Sequence, residues 1–173
     1  MANSFEYQVL RDTNQKAVIK ITGAFDGSGQ ESNVVRIQAN SLFGALDANG
    51  AVLGTGASLS NTALSSYGLS VLKMNYIVNM PTPGYVKLAW NGSTPGTIAN
   101  LNRDGQFGED QGMCAITNNA ANGTGDISVS TFGAAANSSY TIIIELRKDN
   151  ATYSRGQDRD PAAFNAGNYG IRP

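Results

Sequence analysis

The chain has 173 residues and a mass of 18.1 kDa, which is the size of one domain built around a single core. Its 12 Lys and Arg residues nearly balance its 13 Asp and Glu residues, so the formal net charge of −1 offers no attraction to nucleic acid or to an anionic membrane surface. The sequence has no His, which excludes Ser-His-Asp and Cys-His catalysis and His-ligated zinc or haem. We therefore expect no nucleic-acid partner, no membrane partner and no cofactor.

The polar residues of this chain are mostly uncharged. Charged residues make up only 14% of the chain, whereas Gly occurs 20 times and Asn, Ser and Thr are abundant. Gly and Asn accept positive φ in turns, and Ser, Thr and Asn hydrogen-bond the local backbone in competition with a helix. The N-terminus has no basic, apolar leader, and no apolar stretch is long enough to span a bilayer. This composition predicts an all-β, soluble domain without a signal peptide.

Period-two alternation of apolar and polar residues predicts the strands. Seven segments show it, at residues 5–10, 17–22, 34–38, 67–79, 85–90, 126–132 and 140–147. Residues 39–66 form a long polar excursion for which we expect only a short helical turn near residues 41–46. This pattern predicts an antiparallel β-sandwich of about seven or eight strands with a jelly-roll-like topology. An immunoglobulin-like sandwich is the alternative.

The apolar faces of the central strands predict the core between the two sheets. The expected members are Leu72, Met74, Tyr76, Val86, Leu88, Trp90, Ile142 and Ile144. Tyr85 is opposite in phase to Trp90, so we expect it at the surface. The single cysteine, Cys114, has no His to activate it and is predicted to be a small buried hydrophobe.

Residues 151–173 lack both strand and helix periodicity. We therefore divide the chain into a sandwich domain, residues 1–150, and an extended C-terminal arm, residues 151–173. Aromatic and Arg side chains are the usual anchors at protein interfaces. The predicted partner-binding residues of the arm are Tyr153, Arg155, Arg159, Phe164, Tyr169 and Arg172. The alternative is that this segment folds back on its own sandwich and covers an open sheet edge.

The carboxylate-rich segments provide no catalytic or metal site in our interpretation. Residues 100–106 imitate the start of a calcium loop, but Asn100 replaces the usual first carboxylate and Gln111 the closing Glu, so we favour a polar turn. The loop that contains Asp26 and Glu31 is interpreted in the same way. The remaining Asp and Glu residues are scattered over turns and do not form a glycosidase pair. We therefore expect no enzymatic activity and no bound metal.

Four segments of the chain resemble virion structural proteins of tailed bacteriophages, particularly marine ones. They are residues 5–13 (FEYQVLRDT), 25–32 (FDGSGQES), 67–72 (YGLSVL) and 160–165 (DPAAFN). No catalytic motif accompanies the resemblance. It implies a particle component, of which a capsid decoration or cement protein is the most specific form.

The sequence thus predicts a non-enzymatic structural protein of the virion, assembled in the host cytoplasm. Its expected partners are the major capsid protein or neighbouring virion subunits, and we expect a homo-oligomer. The alternative is a tail- or fibre-associated receptor-binding or glycan-binding module that uses Tyr85 and the Asn-rich loops.

Overall fold

The computed structural model describes residues 3–53, 63–108 and 112–154. The regular elements of these ranges are ten strands and one 3₁₀ turn at Ala39–Ser41. The strands are β1 (Ser4–Asp12), β2 (Lys16–Ala24), β3 (Val34–Ile37), β4 (Leu69–Asn79), β5 (Tyr85–Trp90), β6 (Gly96–Leu101), β7 (Arg103–Gly108), β8 (Ile116–Thr117), β9 (Ile127–Phe132) and β10 (Ser139–Lys148). The predicted helical turn thus lies slightly before its expected position.

The strands form two antiparallel sheets that pack face to face. The large sheet has the order β1-β2-β10-β4-β7, with β8 also paired to β4, and the small sheet has the order β3-β9-β5-β6. This confirms the predicted antiparallel β-sandwich. If β1 and β8 are set aside and the other eight described strands are renumbered along the chain, the two orders become 1-8-3-6 and 2-7-4-5.

The core lies between the sheets, where alternate side chains of each strand point inward. In β2 and β10 every second residue is buried, and the register sets Ile21 opposite Ile142 and Ile19 opposite Ile144. Each fully buried side chain of this size contributes about 1.5–3 kcal/mol. Six predicted core residues are buried in this cluster, namely Met74, Val86, Leu88, Trp90, Ile142 and Ile144. Tyr76 is half-buried and packs against it.

Leu72 departs from the predicted core pattern because β4 carries a bulge. Lys73 pairs with Glu145 whereas Val71 pairs with Leu146, so Leu72 is an extra residue in the ladder. The extra residue reverses the phase of the strand. Leu72 is buried but lies outside the contiguous core, and Val71 and Leu69 take the inward positions in its place.

Candidate interaction surfaces

Tyr153, the first predicted anchor of the arm, is a core residue of the sandwich. Its side chain is 1% exposed, its hydroxyl donates to the Ala39 carbonyl at 2.7 Å, and its ring packs against Tyr67 at a centroid distance of 5.6 Å. Burial raises the pKa of the Tyr153 phenol. The prediction that Tyr153 binds a partner is therefore wrong, because no surface of this ring is available.

A buried lysine fixes the same corner of the molecule. The Lys148 ammonium donates to the Asp12 carboxylate, and to the carbonyls of Thr13 and Phe43 at 2.7 Å each. Three acceptors satisfy its three N–H donors, and its charge lies 5.2 Å from the centre of the Tyr153 ring. Burial lowers the pKa of Lys148, although Asp12 opposes the shift. The cluster joins β10 to the β1–β2 turn and to the loop at Phe43.

Residues 151–154 belong to the folded body, four residues beyond the predicted boundary at residue 150. The Ser154 amide donates to the Gly44 carbonyl at 2.8 Å, and the Asn14 side chain donates to the Ser154 carbonyl at 2.6 Å. Ser154 therefore lies beside the β1–β2 turn. The other predicted contact residues, Arg155, Arg159, Phe164, Tyr169 and Arg172, lie outside the described residues.

Strand β1 presents exposed apolar side chains at the edge of the large sheet. Tyr7 is 43% exposed, Val9 44% and Leu10 47%. Tyr7 pairs with Ile21 and Val9 with Ile19, so both point to the inner side of the sheet, yet the small sheet leaves them uncovered. The alternation of the sequence predicted this strand. It did not indicate that the inner face of β1 lies beyond the partner sheet.

A shallow groove of about 440 Å³ lies on the outer face of the large sheet. Asn75, Asp104 and Gln106 provide polar side chains on its wall, and Ile77, which is 63% exposed, and Ile143 provide apolar ones. These residues come from β4, β7 and β10, which the register places side by side. The sequence did not indicate this groove, because the groove depends on the unpredicted strand β7.

The segment that imitates a calcium loop forms strands instead. Asn100 and Leu101 end β6, and Asp104 and Gly105 lie in β7, so the chain crosses from the small sheet to the large one at residues 102–103. The predicted polar turn is limited to this corner, where Arg103 has a φ of 57°. Within the described ranges, no three His, Cys, Asp or Glu side chains are placed to hold a metal ion.

Gly105, the glycine of the calcium-loop-like segment, has a packing role. It lies opposite Tyr76 in the ladder, and a Cβ at this position would lie 2.2 Å from the Tyr76 hydroxyl. The glycine therefore leaves room for the tyrosine ring to lie across the neighbouring strand.

Glu31 is not the simple turn residue that the sequence suggested. It is buried, and one carboxylate oxygen accepts from the Arg36 side chain at 2.7 Å while the other accepts from the Tyr140 hydroxyl at 2.6 Å. Burial first, and then Glu31, raise the pKa of Tyr140. The hydrogen bond between Tyr140 and Glu31 joins β10 to the loop before β3. Asp26 in the same loop does form a local turn, because its carboxylate accepts from the Ser28 amide at 2.8 Å.

Tyr85 lies at the surface, as the sequence predicted. It is half-buried on the outer face of the small sheet and stacks on Phe132, with a centroid distance of 4.7 Å and an interplanar angle of 16°. Trp90 is fully buried and belongs to the core, as predicted. Cys114, by contrast, is exposed, so its predicted burial is wrong. It lies in the loop before β8, where no strand directs its side chain inward.

Comparison of the chain with protein-family models, curated protein sequences and solved structures found no match. No helix in the part of the chain described here is long and apolar enough to cross a membrane.

Proposed function

We propose that this chain is a non-enzymatic structural protein of a tailed-phage particle, a decoration or cement protein that binds the shell and stabilises it. Its partners in this proposal are the major capsid protein or neighbouring virion subunits. Arg155, Arg159, Phe164, Tyr169 and Arg172 remain the predicted contacts.

The observation that carries the proposal is the strand order. The orders 1-8-3-6 and 2-7-4-5 are those of a sandwich made from two interlocked Greek keys, so we propose a jelly roll in which β1 is an additional edge strand. Jelly rolls are frequent among viral capsid domains, although they also occur in lectins and cupins. The resemblance of four segments to virion proteins supports a capsid-type role for this fold over a lectin or a cupin.

The position and copy number of the protein in particles test this proposal. Antibodies raised against the purified chain are used to label purified particles of the phage that encodes it, and quantitative mass spectrometry gives the copy number relative to the major capsid protein. We expect labelling over the shell and a copy number in a simple ratio to that of the capsid protein. Label confined to the tail, or no label on particles, contradicts the proposal.

Glycan recognition is the second candidate function, and the Tyr85–Phe132 pair favours it. Exposed aromatic rings pack against the apolar faces of sugars, and this stacked pair lies on the outer face of the small sheet. The test is binding of the purified chain to a glycan array, with Tyr85→Ala and Phe132→Ala as variants. Binding that both variants abolish supports this function, and an array without binding contradicts it.

A further inference from the structure

We propose that β1 is a self-complementary dimer edge, at which β1 of a second copy pairs antiparallel and joins the two large sheets. Within the described residues β1 pairs with β2 alone, and β1 is nine residues long. Its sequence contains no Pro and no Lys, two residues that commonly protect an edge strand from pairing, although it carries a bulge at Leu10. This inference concerns the free protein and does not depend on its place in a particle.

The apolar side chains of β1 match in the register that places Gln8 on the two-fold axis. In this register Tyr7 faces the partner's Val9, and the symmetry repeats the contact. Tyr7 and Val9 both point to the inner side of the sheet, because they pair with the core-facing Ile21 and Ile19. The pairing thus covers the two apolar side chains that the small sheet leaves exposed.

The charges of β1 match in the same register because the strand carries a bulge. Val9 pairs with Ile19 and Arg11 with Val18, so Leu10 is the extra residue and Arg11 lies on the outer face of the sheet. Glu6 lies on that outer face too, since it pairs with Thr22. Glu6 lies two ladder positions from the axis. Because Leu10 is the extra residue of the bulge, Arg11 of the second copy lies two ladder positions from the axis on the other side, and Glu6 therefore faces the bulge and Arg11. Opposite charges meet twice in one dimer.

Both ends of the strand are fixed in position before any partner binds. At one end the Arg36 guanidinium lies 4.2 Å from the centre of the Phe5 ring, and at the other the Asp12 carboxylate accepts from the Phe43 amide at 2.8 Å. The edge is thus presented as a formed strand, which lowers the entropy lost on pairing.

The first test is the oligomeric state of the full chain and of charge-reversal variants, measured by sedimentation at several protein concentrations. We expect a dimer that Glu6→Arg or Arg11→Glu weakens by about tenfold, since each change sets like charges together twice. The double variant Glu6→Arg/Arg11→Glu restores the dimer. Val9→Lys abolishes it, whereas Ile77→Lys, at a more exposed site on the outer face, does not. Circular dichroism verifies that each variant is folded.

The second test is a disulfide across the axis. In a Cys114→Ser background, Gln8→Cys is expected to give a covalent dimer on mild oxidation, whereas Asn75→Cys, on the outer face of the same sheet, does not. A chain that is monomeric at every concentration overturns the proposal, as does failure of the double reversal to restore the dimer. If only a chain truncated after Ser154 dimerises, residues 155–173 cover the edge of their own body and the proposal is wrong.

Discussion

At the residue scale, the polar groups buried in this sandwich differ in whether they have hydrogen-bond partners. Glu31 and Lys148 each meet hydrogen-bond partners that match their chemistry. The Trp90 indole nitrogen is buried without a hydrogen-bond partner among the described residues. An unpaired buried donor costs about 1–3 kcal/mol, so the packing of the Trp90 ring must outweigh that cost.

Trp90→Ala is expected to lower the free energy of unfolding by about 3–5 kcal/mol, because it removes the largest fully buried side chain and leaves a cavity between the sheets. Urea unfolding measures the loss. Phe132→Ala, at an exposed aromatic on the neighbouring strand, serves as the control and should cost much less. Equal losses for the two variants contradict this assignment of the core.

The buried tyrosines predict a loss of stability at alkaline pH. Burial raises the pKa of Tyr153 and Tyr140, so the folded protein keeps both protons at a pH where the unfolded chain, with a tyrosine pKa of about 10, loses them. Below about pH 10 both tyrosines contribute fully to the stability of the fold. Above this pH each tyrosine lowers the free energy of unfolding by about 1.4 kcal/mol per pH unit. The lowered pKa of Lys148 has the opposite effect, because it makes the stability of the fold rise with pH.

Tyr153→Phe should therefore make the alkaline fall in the free energy of unfolding less steep, by about 1.4 kcal/mol per pH unit. At neutral pH the same change should cost about 1 kcal/mol, because the hydrogen bond to the Ala39 carbonyl is lost. Urea unfolding at a series of pH values between neutral and about 11 measures both effects. An alkaline slope equal to that of the parent protein would show that the phenol ionises equally in the folded and unfolded states.

At the element scale, the sequence predicted seven of the ten described strands, including the edge strands β1 and β3, and missed β6, β7 and β8. The alternation of β2, β4, β5, β9 and β10 reflects one face in the core. Strand β7 reads Arg-Asp-Gly-Gln-Phe-Gly and is mostly exposed, so no apolar period marks it. The bulges at Leu10 and Leu72 could not be predicted either, because a bulge is a property of the pairing between two strands.

Two glycines lie beneath tyrosine rings on neighbouring strands, and the two sites should respond differently to a methyl group. A Cβ at Gly23 would lie 2.4 Å from Tyr140, whose ring is buried and bonded to Glu31. Gly23→Ala should therefore destabilise the fold by about 1–3 kcal/mol or more. Gly105→Ala meets the half-buried Tyr76, whose ring can move away, and should cost less.

Thermal melts of these two variants are compared with Gly29→Ala, because a Cβ at Gly29 meets no atom within 4 Å. This control should change stability by no more than about 0.5 kcal/mol. If Gly105→Ala proves more costly than Gly23→Ala, the bond from Tyr140 to Glu31 does not fix the ring.

At the scale of the whole molecule, the sequence indicated where the regular strands end but not where the folded body ends. Tyr153 looked like a spaced anchor because its neighbours lack periodicity. Its burial depends on contacts with Tyr67 and Ala39, more than 80 residues earlier in the chain. The uncovered face of β1 was hidden for a similar reason, since it depends on the relative widths of the two sheets.

The end of the body can be located by paired truncations. A chain that ends at Ser154 keeps every contact of Tyr153 described above and should melt close to the full chain. A chain that ends at Thr152 loses the Tyr153 ring and should lose about 3–5 kcal/mol of stability, because a buried aromatic is replaced by a cavity beside Lys148. Tyr153→Ala in the full chain is the matched control and should reproduce most of that loss. If the chain that ends at Ser154 melts as low as the chain that ends at Thr152, residues 155–173 stabilise the body and are not an arm reserved for a partner.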